Sequence, residues 1–285
     1  MVQDGRDFVF QFRCPDRPGI LAGITTALYG AGCDVRDAAQ FGDAETGLFF
    51  VRMHVRTAPT TTRAALEHAL ADVVREHRLD LRAFDLADRP RTLVAVSREG
   101  HCLHHLLHKW RVGVLPTDIA AVVSNHETLR PVAEGHGLPF HYLPVPADRA
   151  EQERRLLALI DETRTDLVVL ARYMQILTPA ACEALRARCI NIHHSFLPGF
   201  KGARAYHQAH TRGVKLIGAT AHYVTTDLDE GPIIEQDVRR VTHATTADEM
   251  TEIGRDTEAS VLSRAVRWHL EHRIMLNGQK TVVFP

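Results

Sequence analysis

The chain has almost no net charge of either sign: 34 Lys and Arg face 35 Asp and Glu, a formal net charge of -1. Without a basic field there is no general grip on a phosphate backbone or an anionic lipid surface, so neither nucleic acid nor a membrane is an expected partner. Cysteine is sparse and unpatterned. Cys14, Cys33, Cys102, Cys182 and Cys189 are odd in number and form no Cys-x-x-Cys pair, which argues against a secreted disulfide framework and a zinc ribbon and places the chain in a reducing cytoplasm. No apolar run is long enough to span a bilayer, and the first residues carry an acid before any apolar stretch, unlike a signal peptide. Repeats and low-complexity tracts are absent too. What is there is ordinary globular composition, 45% hydrophobic and 24% charged over 285 residues, enough for two cores and suited to a small-molecule ligand.

Residues 8–12 alternate apolar and polar, and Asp16-Arg17-Pro18-Gly19-Ile20 ends that strand and opens an apolar-periodic helix to about Tyr29. Two strands, 35–41 and 48–55, a helix over 64–77 and a strand over 79–84 follow. This is the ferredoxin-like βαββαβ order, and CPDRPGILAGITTALYGAGCDV (14–35) resembles the opening of an ACT domain. The resemblance implies amino-acid sensing, with Arg17, Pro18, Gly19 and Ile20 as the ligand site. A glycine at a helix amino terminus lets backbone N–H groups approach a carboxylate; a plain turn that starts a helix is the equal alternative.

A polar stretch with a proline, 87–91, separates an expected regulatory domain, 1–88, from an expected catalytic domain, 89–285. There, short apolar strands (93–96, 119–123, 140–143, 167–170, 190–193) alternate with helical stretches such as 151–161 and 179–187, predicting a doubly wound, mostly parallel sheet. Ligands in such sheets sit beyond the carboxyl ends of the strands.

One strand ends in Asn191-Ile192-His193-His194-Ser195, and period-two geometry puts Asn191 and His193 on one side. A carboxamide beside an imidazole suits an oxyanion forming on a carbonyl under attack. Asp229, in the acidic turn Thr225-Thr226-Asp227-Leu228-Asp229-Glu230-Gly231-Pro232 after the alternating strand 216–224, is the candidate acid. His194 points the other way and is secondary. Ser195 lacks a Gly-x-Ser-x-Gly elbow and reads as a cap. His101/His105 and His104/His108 have the i, i+4 spacing of a zinc pair but lack the glutamate of His-Glu-x-x-His, so no metal is expected.

NIHHSFLPGFKGARAY (191–206) followed by GATAHYVTTDLDEGPII (218–234) resembles the catalytic signature of the folate-dependent formyltransferase family. By residue matching, that resemblance implies that Asn191, His193 and Asp229 are catalytic. It also makes LARYMQIL (170–177) the folate-pocket segment, so Tyr173, Met174, Gln175, Ile176 and Leu177, with Val224, Thr225, Thr226 and Asp227, are the expected folate-binding residues. A pterin ring asks for an apolar slot edged by backbone hydrogen bonds.

The acceptor is read from SREGHCL (97–103). Transformylases of the family that act on glycinamide ribonucleotide carry a glycine-rich loop there for a phosphate; Glu99 would repel a phosphate dianion, which leaves water. The chain ends soon after a helix over 248–272 and a strand over 281–284, without the basic domain of the tRNA-directed branch. An ACT-like module fused to this domain resembles the family's deformylase branch, over nearly the whole chain including RAVRWHLEHRIMLNGQKTVVF (264–284). The resemblance implies hydrolysis of 10-formyltetrahydrofolate to formate and tetrahydrofolate, balancing one-carbon pools and supplying formate for purine synthesis. It implies no tightly bound cofactor, an amino-acid effector such as glycine or methionine, and a homo-oligomer, dimer or tetramer. Formyl transfer to an amine (glycinamide ribonucleotide or a sugar amine) and a non-catalytic folate or amino-acid sensor are the alternatives.

Overall fold

The computed structural model describes residues 5–145, 149–199 and 205–285. They form two compact units, Met1–Arg89 with His272–Asn277 and Val282–Pro285, and Pro90–Glu271 with Gly278–Thr281.

The first unit has the ferredoxin-like order. Strand β1 (Arg6–Pro15) leads through α1 (Ile20–Gly30) to β2 (Asp34–Asp43) and β3 (Leu48–Thr57), then through α2 (Arg63–Ala69) and α3 (Ala71–His77) to β4 (Asp80–Asp85). The four strands pair antiparallel in the order β2-β3-β1-β4. The sequence pattern predicts one helix over 64–77; Leu70, at ψ -7, unwinds the turn and makes two. Phe8, Phe10 and Phe12 on β1 are fully buried with Ile20, Ile24 and Leu28 of α1, the side-chain alternation that makes one sheet face a core.

The other face differs from a plain domain break at 88/89. Gln11, only 5% exposed, donates from Nε2 to the carbonyls of His272 (3.0 Å) and Ile274 (3.1 Å), and Arg52 Nε donates to His272 O (3.1 Å). Phe84 stacks on His272 at 3.7 Å, and Phe50 packs with Met275 and Phe284. The last residues of the chain therefore belong to the first unit, where their carbonyls satisfy the buried Gln11 carboxamide and give Arg52, already paired with Asp37, a further acceptor.

The second unit is built on β5 (Arg91–Val96), β6 (Asp118–Ser124), β7 (Phe140–Tyr142), β8 (Leu167–Leu170), β9 (Cys189–His193), β10 (Leu216–Tyr223) and β11 (Ile233–Arg240). They stand in the order β11-β10-β9-β8-β5-β6-β7. The run from β9 to β7 is parallel; β10 and β11 are antiparallel additions at one edge. Between the strands run α4 (His101–Arg111), α5 (Arg130–Gly135), α6 (Arg149–Glu162), α7 (Pro179–Ala184) and α8 (Ala205–Thr211), and after β11 comes α9 (Ala247–Leu270). Helix α9 starts at a capping box, Thr246 with Glu249. Leu93, Ala95, Val168 and Leu170 are buried with Leu156, Ile160 and Leu185, as expected of parallel strands covered on both faces. The hairpin β12 (Ile274–Asn277) and β13 (Lys280–Val283) closes the chain.

Candidate active site

Strand β9 is held from both sides. Leu170 of β8 stands in register with Asn191, and on the antiparallel side Thr220 and His222 of β10 stand opposite His193 and Asn191. Directly paired residues share a face, so Asn191, His193 and His222 emerge together. The turn after β10 then carries Asp229 back over the strand ends. That return needs Gly231, since a Cβ there would run into the Tyr223 carbonyl.

The expected trio therefore meets. His193 Nδ1 lies 3.1 Å from Asp229 Oδ2, and Asn191 Nδ2 lies 3.2 Å from His222 Nε2. His222 Nε2 is also 3.6 Å from Asp229 Oδ1, so His222 touches both the carboxamide and the acid. Its other ring nitrogen donates to the Tyr223 carbonyl at 2.9 Å, so Nε2 is the atom that faces both the Asn191 carboxamide and the Asp229 carboxylate. His222 does not stand out in the sequence. Its signal is a histidine inside an otherwise apolar strand, and its significance depends on a register the sequence does not print.

Asp229 has φ 59, the left-handed region that aspartate tolerates better than most residues. Burial alone would raise its carboxyl, but hydrogen bonds from His193 and His222 outweigh that and hold it well below the usual carboxylate range. An ionised carboxylate only accepts, so His193 Nδ1 carries a proton toward it. His193 Nε2 is buried and has no hydrogen-bond partner among the described residues.

These groups line a cavity of about 350 Å³. Its walls include every residue expected to bind folate: Tyr173, Met174, Gln175, Ile176 and Leu177 from the segment after β8, and Val224, Thr225, Thr226 and Asp227 from the turn after β10. Tyr173 and Leu177 are buried and belong to the core as well, while Met174 (55%) and Ile176 (61%) stay exposed at the rim. The Ser97 hydroxyl, buried at the end of β5, accepts from Met174 N at 3.0 Å and donates to Asn125 Oδ1 at 2.7 Å, fixing that segment.

His194 lines the same cavity, contrary to the expectation that it points away. It lies one residue past the end of β9, where strand alternation no longer applies, and its ring sits 5.0 Å from that of His193. Ser195 Oγ donates to Gly199 O at 2.6 Å, a turn role. Lys201 and Arg204 lie outside the described residues.

Glu99 pairs with Arg255 at 3.0 Å. His101, Cys102 and Glu258 hold possible ligand atoms within 4.8 Å of one another. That carboxylate, however, already accepts from His101 and Tyr206 and faces Arg172, and burial pushes the Cys102 thiol far up, so a dication would meet a guanidinium and a protonated thiol. The regulatory-site residues Arg17, Pro18, Gly19 and Ile20 come together in the first unit with Asp16, Leu21, Ala22 and Phe49 around a concavity of about 590 Å³.

His222→Asn removes the group that orients Asn191 and Asp229. Leaving buried polar groups short of a partner costs about 1–3 kcal/mol, so kcat should fall roughly tenfold to hundredfold with KM little changed. Wild-type kcat in that variant would show that His222 positions nothing.

The formyl transferase family model matches residues 90–266, and an ACT domain model matches residues 8–68. A formyltetrahydrofolate deformylase of Bacillus subtilis is 46% identical over 274 residues, covering 95% of this chain and 91% of that protein. The crystal structure of a formyltetrahydrofolate deformylase from Burkholderia mallei superposes with a TM-score of 0.93 at 46% identity, covering 98% of this chain and all of that one (100%). A glycinamide ribonucleotide transformylase from Symbiobacterium toebii aligns to 69% of this chain and 95% of its own, with a TM-score of 0.65 and 30% identity. With both halves matched in one order over nearly its full length, the chain belongs to the formyltetrahydrofolate deformylase family, an ACT domain joined to a formyl transferase domain.

Proposed function

We propose that the chain hydrolyses 10-formyltetrahydrofolate to formate and tetrahydrofolate at the cavity bounded by Asn191, His193 and Asp229. The observation that carries the reading is the buried Nε2 of His193, without a hydrogen-bond partner among the described residues, beside a carboxamide and an ionised acid. A buried polar atom without a partner is rare and calls for an explanation. A developing oxyanion supplies the missing partner.

In this mechanism a water is positioned by the Asp229 carboxylate and attacks the formyl carbon as Asp229 takes up its proton. Asn191 Nδ2–H and the Nε2–H of a His193 imidazolium, ion-paired to Asp229 through Nδ1, stabilise the tetrahedral oxyanion. The intermediate collapses by breaking the bond to N10, which receives the Nε2 proton of His193; formic acid leaves and ionises to formate, and Asp229 returns its proton to solvent as His193 takes one up, restoring the site. The folate lies along the apolar rim made by Met174, Ile176 and Leu228, with its ring edges facing the backbone of 224–229. None of these steps calls for a metal or a redox cofactor. Incubating the enzyme with 10-formyltetrahydrofolate and no amine should yield formate and tetrahydrofolate in equal amounts; product that appears only when an amine is added would overturn the reading.

In the first unit the Arg17–Ile20 concavity is the site for an amino-acid effector, glycine or methionine. Gly19, at φ 91, is the N-cap of α1 and has no side chain to occupy the helix amino terminus, so backbone N–H groups remain for a ligand carboxylate. Titrating the full chain with either amino acid should raise its Tm, since a ligand that binds only the folded state stabilises it; no shift at saturating concentration rejects both. No helix among the described residues is long and apolar enough to cross a membrane, and all five cysteines are free, which supports a reducing cytoplasm. A homo-oligomer remains part of this reading.

A further inference from the structure

The chain order of the large sheet reverses between β5 and β8, and beyond their carboxyl ends an open parallel sheet has its natural crevice. The folate-sized cavity lies to one side of that point, and no residue of β5, β6 or α4 lines it. At the reversal itself, buried polar side chains from four places in the chain meet.

Glu258 of α9 is fully buried. His101, at the start of α4, donates from Nε2 to its Oε2 at 2.8 Å, and Tyr206 of α8 donates from its hydroxyl to Oε1 at 2.6 Å. Arg172, directly after β8, brings Nε to 3.4 Å of Oε2, an ion pair that closes no hydrogen bond. Burial pushes the Glu258 carboxyl up, but His101, Arg172 and Tyr206 outweigh it, so the group stays charged. Cys102 fills the space beside it, fully buried. The Tyr206 ring rests against Gly254, one turn earlier on α9, so tightly that a Cβ there would collide with it.

The cluster adjoins the reaction site at two points. Arg172 and His194 both line the cavity. Tyr206 meets His194 edge-on, with ring centroids 6.2 Å apart, and His194 in turn packs on His193. Simple space-filling would be served at least as well by apolar side chains, because a buried charge is costly unless every partner is in place. A carboxylate held by two short hydrogen bonds and an ion pair instead fixes the rings of His101 and Tyr206 in place and resists displacement by an incoming group.

We propose that His101, Arg172, Tyr206 and Glu258 form a specificity-determining wall that keeps any acceptor larger than water from reaching the formyl carbon through the β5/β8 crevice. The proposal rests on the hydrolase reading and deepens it: the same trio of reacting groups serves any nucleophile, and the wall decides that water is the one admitted. An amine that passed it would form the new bond to the formyl carbon as the bond to N10 broke, and N10 would take the proton the amine gave up.

The test is a single turnover of 10-formyltetrahydrofolate by the full chain in the presence of O-benzylhydroxylamine, which is nucleophilic at neutral pH. Wild type should give formate, with N-benzyloxyformamide no higher than in the enzyme-free control. Tyr206→Ala and His101→Ala should each raise the ratio of N-benzyloxyformamide to formate by at least about tenfold, the scale on which pocket shape discriminates. Tyr206→Phe, which keeps the ring but takes one donor from Glu258, should raise the ratio less than Tyr206→Ala does. The proposal is overturned if wild type already captures the amine in proportion to its concentration, or if the alanine variants, folded by circular dichroism, keep the wild-type ratio. Should Tyr206→Ala not fold, His101→Ala decides alone. Wild type that releases no formate would remove the hydrolase reading, and this proposal with it.

Discussion

Replacing Asp229 by Asn should cut kcat by about two to four orders of magnitude while folate binding stays within a few-fold, because the loss is of a positioned proton acceptor. Asparagine is the right probe: it nearly matches aspartate in size and accepts the left-handed backbone at φ 59, so the turn survives. What disappears is the charge that orients His193 through Nδ1 at 3.1 Å and takes the proton of the attacking water. Pre-steady-state turnover and equilibrium binding of the folate separate the two effects; full turnover in the variant would refute the assigned role.

The same substitution has a pH signature. Asp229 is held below its ordinary value of 3.8 in the folded protein, so its ionised form contributes stability above that value, and the contribution is lost as pH falls below it. A carboxamide at this position cannot titrate, and the gap in Tm between wild type and Asp229→Asn should narrow as the solution is acidified through that range. Nor does Asp229 set the acid limb of the wild-type rate profile near neutrality, since it is already ionised there.

Asn191→Ala should lower kcat by about 10²–10³ with a small change in KM, the loss associated with one donor to an oxyanion. The carboxamide has two duties here. It reaches the reaction site, and its Nδ2 lies 3.2 Å from His222 Nε2, so its removal also strips His222 of a partner. The double variant Asn191→Ala with Asp229→Asn should therefore be less impaired than the product of the two single losses, as found for groups that act as a unit. A raised KM with kcat unchanged in Asn191→Ala would mean that the side chain binds ground state and transition state alike and has no oxyanion role.

The parallel strands were legible because they are buried on both faces and read as short apolar runs, and Asn191 and His193 were legible because strand alternation is local. The residues after β8 and β10 that wall the cavity were found through a motif resemblance, which fixed their identity but not which of them face outward, as Met174 and Ile176 do. Two features lay beyond local pattern. His222 gains its meaning from the antiparallel register that sets it opposite Asn191, a pairing between positions far apart in the chain. The closing residues read as a strand over 281–284, and a strand pattern does not say which core receives it; the carbonyls of His272 and Ile274 settle that by accepting from Gln11. The wall around Glu258 is hidden for the same reason, since His101, Arg172, Tyr206 and Glu258 come from four separate segments whose convergence only the fold supplies.

Whether water is the acceptor can be read in the product itself. A single turnover of 10-formyltetrahydrofolate in ¹⁸O-enriched water, with no amine present, should release formate in which one oxygen comes from solvent and the other from the formyl group. Formate carrying no solvent oxygen, or no formate until an amine acceptor is supplied, would contradict an active site built to activate water on a formamide carbon.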